Sequence, residues 1–273
     1  MSVEPVPAGT ASRLGKRFRL QVALTWLVLF ALLAAGCFGL HLDLGFVAQK
    51  LPYLLGIRLA PDGFIQGAAL TIFVTACSMV CALAVALVTA MGRMSRNPVA
   101  FAIATFYASL FRGTPLLVQV LIIYLALPQV GIVLGALSSG LIALSLNYGA
   151  YLAETIRSGM MAVPAGQREA ALALGLPRWV VTWKVSAPQA LRLIIPPAGA
   201  LFVSMLKDSS LVSLMGLWEL NFLAQSFARS TYHYMEMLIA AALIYWALSI
   251  LFELVQFRLE RRFGKGVEPA ARH

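Results

Sequence analysis

Long apolar stretches separated by short polar breaks dominate the chain. The first apolar run covers residues 20–41. It follows a polar segment that ends in Arg13, Lys16, Arg17 and Arg19. A second run, over about 66–91, stops at Arg93 and Arg96. A third region, 99–127, is interrupted by Arg112-Gly113-Thr114-Pro115. Proline removes a helical hydrogen bond and disfavours helix at the residue before it. The break therefore predicts an interfacial helix over 98–111 and the core of a third span over 115–127. Further spans are expected over 132–157, 191–211 and 234–255, with 214–230 as a connector. The runs approach the ~20 residues a helix needs to cross a bilayer and lack the period of two of a barrel strand. The pattern predicts an all-α, polytopic transmembrane helical bundle of about six spans.

Composition sharpens this reading. The 273 residues are 60% hydrophobic and 12% charged, whereas a soluble domain carries about a quarter charged residues. So much apolar surface calls for lipid as solvent, where backbone polar groups must pair within the segment. The net charge of +10 does not point to nucleic acid, because the basic residues sit beside apolar spans. With the N-terminus inside, all of the 21 Lys and Arg except Lys50, Arg58, Lys207 and Arg229 fall on the cytoplasmic side. That asymmetry places both termini and the 158–187 loop in the cytoplasm. The even span number agrees.

Cys37, Cys77 and Cys81 lie in apolar runs and read as inert thiols. His41, His233 and His273 are scattered, so no metal site is expected. Ala34-Ala35-Gly36-Cys37 approaches a lipoprotein cleavage site, but Ala34 stands where that site has Leu. The run is also long enough to span, so an uncleaved first helix is expected.

The polar stretch from Val163 to Pro188 reads as helix, glycine turn, helix. Gln167 to Leu174 is rich in helix formers, Gly175 suits a left-handed stop, and Pro177 suits the first turn of the next helix. Trp179, Val180 and Trp183 recur at helical spacing and give that second helix an apolar face. A long polar loop that still codes for helices is either a docking element or a hairpin lying on its own bundle or on lipid headgroups.

Glu169-Ala170-Ala171, then Gly175 and Pro188, resembles the EAA loop of ABC-importer permeases. Phe111-Arg112-Gly113-Thr114-Pro115-Leu116-Leu117-Val118-Gln119 resembles the signature of the polar amino-acid subfamily. So do the stretch from Ala150 to Gly159, Val163-Pro164-Ala165-Gly166-Gln167, Ala187-Pro188-Gln189-Ala190 with Pro196-Pro197, and Lys207-Asp208-Ser209-Ser210-Leu211. Together these motifs cover about residues 66–220. Departures are small: Val185-Ser186-Ala187-Pro188 replaces Ile-x-Leu-Pro, Ser158 stands where Gly is frequent, and Ser109 where an acid is. The first helix is an addition, since many members have five spans.

The resemblance implies a type I ABC importer permease fold. Residues 1–19 would be a cytoplasmic basic tail and 20–41 the extra transmembrane helix. A periplasmic segment, 42–65, would lead into a five-helix core, 66–257, and a basic tail, 258–273, would close the chain. It further implies a homodimer or a pair of similar permeases, a cytoplasmic ABC ATPase dimer and a periplasmic amino-acid-binding protein. Gly166, Gln167, Glu169, Ala170, Ala171, Gly175 and Pro188 would form the ATPase-coupling element. No cofactor is expected in this chain and no catalytic residue. It has no Gly-x-x-x-x-Gly-Lys-Ser/Thr phosphate loop, so ATP and Mg belong to the partner ATPase.

Charges inside spans face protein or water, because lipid exposure costs at least about 2.5 kcal/mol each. Asn147, Tyr151 and Glu154 share one helical face. An amino-acid zwitterion needs an acceptor for its ammonium and donors for its carboxylate. Asn147, Tyr151 and Glu154, with Arg112, are therefore the expected substrate pathway. Arg157, three residues from Glu154, is positioned to pair with it. Lys207 and Asp208 are expected at a gate or in helix packing. Thr71, Thr75 and Ser78 are expected to bond helix backbone, and Trp218, Tyr234 and Trp246 to pack or sit at the interface. The competing readings are a stand-alone secondary transporter or channel and a membrane-embedded enzyme. The first is disfavoured by the small span number and the structured loop, the second by the absence of clustered His, Asp or Cys.

Overall fold

The computed structural model describes residues 8–39, 42–60 and 63–263. His41, Lys265, Arg272, His273 and the side chains of Arg13, Lys16 and Cys37 lie outside the described residues. The chain divides into two compact units, residues 1–47 and 48–273. In the first, α1 (Ala8–Gly39) is one uninterrupted helix. Residues 8–19, expected as a polar tail, are thus helical and continuous with the first apolar run.

The second unit is a helical bundle. A short α2 (Leu44–Leu54) bridges from the first unit and leads into α3 (Gly67–Arg93). Then follow α4 (Pro98–Gly113) and α5 (Leu116–Leu121), which runs on as a π turn, Ile122–Ala126, and a 3-10 turn, Leu127–Val130. α6 (Ala136–Met161) precedes the short α7 (Ala165–Ala173). α8 (Arg178–Val180) continues through a π segment, Val181–Ser186, into α9 (Ala187–Asp208) and a 3-10 turn, Ser209–Met215. α10 (Leu220–Thr231) and α11 (Tyr234–Phe263) complete it.

The core lies between α3 and α6, the most extensive helix pair in the bundle. Leu70, Val74, Ser78, Ala82, Ala86 and Ala90 recur every fourth residue along α3 and are all buried. Such a row of mostly small side chains lets a second helix approach closely, which is how packing gains energy without a hydrophobic drive between helices. Gly149 of α6 is part of that fit: a Cβ there would come 2.9 Å from the Tyr107 hydroxyl and press on Val85. The outward faces are apolar instead. Phe73, Val80 and Val88 of α3, Phe101, Ile103 and Phe106 of α4, and Ile250, Leu251 and Leu254 of α11 are exposed. A surface of this kind matches lipid and would aggregate in water.

Three described segments are long and apolar enough to cross a membrane: Gly67–Arg93, Arg178–Met215 and Tyr234–Arg262. The pair Pro98–Gly113 and Leu116–Val130, bent by 103°, makes a fourth if taken as one broken span. Residues 98–111, expected at the interface, pack on α3 and α6 as the first limb of that pair. α6 has the length of a span, 26 residues, but carries Ser139, Ser145 and Asn147, all buried. Because α3, α4, α5 and α9 surround it, its polar groups face protein and it need not be as apolar as a lipid-facing helix.

The second helix of the 158–187 loop does not end before a separate fifth span. Helix runs unbroken from Arg178 to Asp208, through Pro188. A proline ring clashes with the carbonyl four residues back, here that of Lys184, which lies in the π segment. The wider π turn leaves room for the ring, so helix continues past the proline.

Candidate functional site

Two regions gather the polar groups. The first is the elbow between α4 and α5. α4 ends because Thr114 and Pro115 are extended, and the break would leave carbonyls at its end unsatisfied. The buried Gln119 closes them. Its amide nitrogen donates to the carbonyls of Phe111 (3.0 Å) and Thr114 (3.1 Å) and to Thr114 Oγ1 (2.8 Å). Its oxygen accepts from Asn147 Nδ2 at 3.1 Å, and Asn147 also donates to Phe111 O at 3.1 Å. α6 is thereby tied to the elbow. Gln119 lay within a recognised motif, but nothing in its sequence position assigned it this brace.

Beside the elbow lies a cavity of about 470 Å³ lined by Arg112, Asn147, Tyr148, Tyr151, Ser204 and Asp208 among others. Three expected pathway residues thus meet: Arg112, Asn147 and Tyr151, with the Arg112 guanidinium 5.5 Å from the Tyr151 ring centre. Asp208 joins them from the end of α9 and accepts a 2.7 Å hydrogen bond from the Tyr148 hydroxyl, a partner the sequence did not suggest. Its neighbour Lys207 is exposed and does not line the cavity.

Glu154 does not line the cavity either. It sits one turn further along α6 and binds Arg157 and Arg93, with Arg112 at 3.4 Å. The pairing with Arg157 follows from the spacing of three. Arg93, from the last turn of α3, is 61 residues away in sequence and was not foreseen. One carboxylate therefore joins α3, α6 and the α4 end, and its link to Arg112 connects it to the cavity.

The second region is the α7–α8 hairpin. Gly175 has φ +75° and no heavy atom near the position of a Cβ, so the turn needs glycine for its backbone alone. Pro177 caps the next helix in extended conformation. Ala171 and Val181 are buried, which anchors the hairpin's inner side. Gly166, Gln167, Glu169, Ala170 and Gly175 are exposed, and Trp179 and Trp183 are 65% and 60% exposed. The expected apolar face of the second helix thus points away from the bundle. Pro188 is set apart from the hairpin, inside the long helix.

A third cluster links α10 to the bundle. Glu219 caps α10 by accepting from the backbone N–H of Asn221 (2.9 Å) and Phe222 (2.8 Å). It also accepts from Tyr245 (2.7 Å) and Thr71 (3.4 Å). Burial in the connector pushes its carboxyl up to about 7, against the lowering effect of these donors. Thr71 and Thr75 bond backbone carbonyls as expected, whereas the Ser78 hydroxyl has no partner. No group of three His, Cys, Asp or Glu side chains among the described residues could hold a metal ion, and Cys77 and Cys81 are free thiols.

Residues 79–265 match the family model of the binding-protein-dependent transport system inner membrane component. The chain is 40% identical over 198 residues to the L-cystine transport system permease protein TcyB of Bacillus subtilis, covering 72% of this chain and 85% of that protein. It is 33% identical over 224 residues to the arginine transport system permease protein ArtQ of the same organism, covering 82% and 98%. Among solved structures, an amino acid ABC transporter crystallised with histidines superposes with a TM-score of 0.72 at 35% identity. That match covers 80% of this chain and 97% of the other. The membrane chain of a methionine ABC transporter, at 20% identity and a TM-score of 0.58, shares the fold.

Proposed function

The chain belongs to the family of binding-protein-dependent transport system inner membrane components, and from that premise we propose that it is the permease subunit of an ATP-driven importer for polar amino acids. The observation that carries the substrate class is the elbow cavity, which brings a guanidinium, Arg112, and a carboxylate, Asp208, to one space. A free amino acid presents a carboxylate and an ammonium a few ångströms apart, and those two groups are complementary to it. Asn147 and Tyr151 would add neutral contacts, and Glu154 would hold Arg112 in place.

The α7–α8 hairpin is the ATPase contact in this reading. Its outward face carries Glu169, Trp179 and Trp183, which the bundle leaves exposed. ATP and Mg would be bound by the separate ATPase dimer. A second permease chain would complete the membrane part, and a periplasmic binding protein would deliver the solute. Alternating access then follows as rocking of helices around the cavity.

Co-expression with the cytoplasmic ATPase and reconstitution in liposomes tests both parts. The wild type should hold the ATPase through purification and hydrolyse ATP faster with a loaded binding protein. Glu169→Lys should lose both, while Arg112→Gln should keep the ATPase and lose solute-dependent stimulation. Solute movement along an ion gradient without any ATPase, unaffected by Glu169→Lys, would overturn the reading in favour of a secondary transporter.

A further inference from the structure

A second and larger cavity, about 750 Å³, lies between the ends of α3 and α6 and the inner side of the α7–α8 hairpin. Arg93, Arg96, Arg157, Arg168 and Arg178 line it, and no Asp or Glu does. Four separate regions contribute these guanidiniums: the α3 end with the turn that follows it, α6, α7 and α8. Glu154 binds Arg93 and Arg157 from outside the cavity, yet the Nε of each is buried without a hydrogen-bond partner. Arg96, Arg168 and Arg178 make no ion pair among the described residues. Arg168 and Leu172, one turn apart, turn this side of α7 to the cavity and leave Glu169 off its lining.

Glu154 offsets two of these five charges, and no carboxylate among the described residues pairs with the other three, so the site keeps an excess of positive charge that an anion would offset. The planar guanidinium fork is matched to the paired oxygens of a phosphate. The remaining walls decide between sources of phosphate. Met91, Met94 and Met161 are each more than 40% exposed and line the same space. Arginine beside flexible apolar side chains at the end of α3, whose outward face is apolar and exposed, suits a phosphate that carries hydrocarbon with it. Basic pockets between helices on the cytoplasmic side are where anionic headgroups bind.

We propose that this cavity holds the phosphate group of an anionic phospholipid from the cytoplasmic leaflet. The lipid would tie the α7–α8 hairpin to the ends of α3 and α6. The assignment rests on the membrane-embedded, cytoplasmic position of the cavity and holds whatever solute is carried.

The test is native mass spectrometry of the full-length transporter equilibrated with equal phosphatidylglycerol and phosphatidylcholine. The wild type should retain phosphatidylglycerol preferentially. Arg96→Gln, Arg168→Gln and Arg178→Gln combined should reduce that preference by about tenfold or more, and the three Lys replacements should restore part of it. Arg258→Gln with Arg261→Gln, on α11 and outside the cavity, should leave it unchanged. If the triple variant fails to fold, Arg168→Gln alone, on the short exposed α7, should show a drop of about fivefold. Equal retention of the two lipids by the wild type, or an equal loss in the α11 variant, would overturn the proposal. Arginine-dependent binding of inorganic phosphate without any lipid preference would overturn it too, assigning the cavity to a soluble anion.

Discussion

The elbow at 111–119 and the hairpin at 164–178 both interrupt helix next to a proline, and they are held in opposite ways. At the elbow, the polar groups exposed by the break are satisfied inside the chain, by Gln119 and Asn147. At the hairpin, Ala171 and Val181 are buried, and the tryptophans and the acidic residue face outward. A break that closes on itself is a built-in part of the bundle. A break that leaves large apolar side chains uncovered is shaped for another surface. Substitutions should therefore separate the two: elbow variants change stability, and hairpin variants change assembly.

The largest effect is expected from Gln119→Leu. It removes one of two side-chain donors to the Phe111 carbonyl, the side-chain donor to the Thr114 carbonyl and one of two acceptors of the buried Asn147 amide, and should destabilise the protein by about 3 kcal/mol, read by thermal unfolding in detergent. Glu154→Gln leaves Arg93, Arg157 and Arg112 without a counter-charge. Because the glutamate is 26% exposed, water screens part of the loss, and about 2 kcal/mol is expected in the same measurement. Equal stability of either variant and wild type would break the contrast from the elbow side.

Next comes a pH effect at the α10 cap. The folded Glu219 carboxyl titrates at about 7, above its ordinary value near 4.5. Folding then favours the neutral acid, so this contribution is complete below about pH 4.5 and is lost as pH rises through about 7. The melting temperature should fall between those limits, and Glu219→Gln should flatten the fall. Gly175→Ala places a side chain at φ +75° without a clash, so only backbone strain of about 1 kcal/mol is expected. Trp179→Ala with Trp183→Ala should change stability by less than about 0.5 kcal/mol and still abolish co-purification of the ATPase. A large loss of stability there would show that the tryptophans serve the fold, and the contrast would fail.

What the sequence disclosed follows the range of the interactions. Local features were legible: the Gly175 stop, the pairing of Glu154 with Arg157, and Asn147 and Tyr151 on one face. Features made by distant segments were not. Arg93 reaches Glu154 across 61 positions, Tyr148 meets Asp208 across 60, and no periodicity reports either. Pro188 misled for another reason, since a π turn absorbs the ring and the expected boundary disappears.

The unbroken helix from Arg178 to Asp208 has a geometric consequence. At 1.5 Å per residue it is about 46 Å long measured along its axis, so if it turns as one piece a rotation of about 5° about its middle carries each end through about 2 Å. One end bears Arg178, on the basic cavity, and the other bears Asp208, on the elbow cavity. A push on the hairpin too small to repack any helix is thus registered at the far carboxylate as a shift comparable to the length of a hydrogen bond.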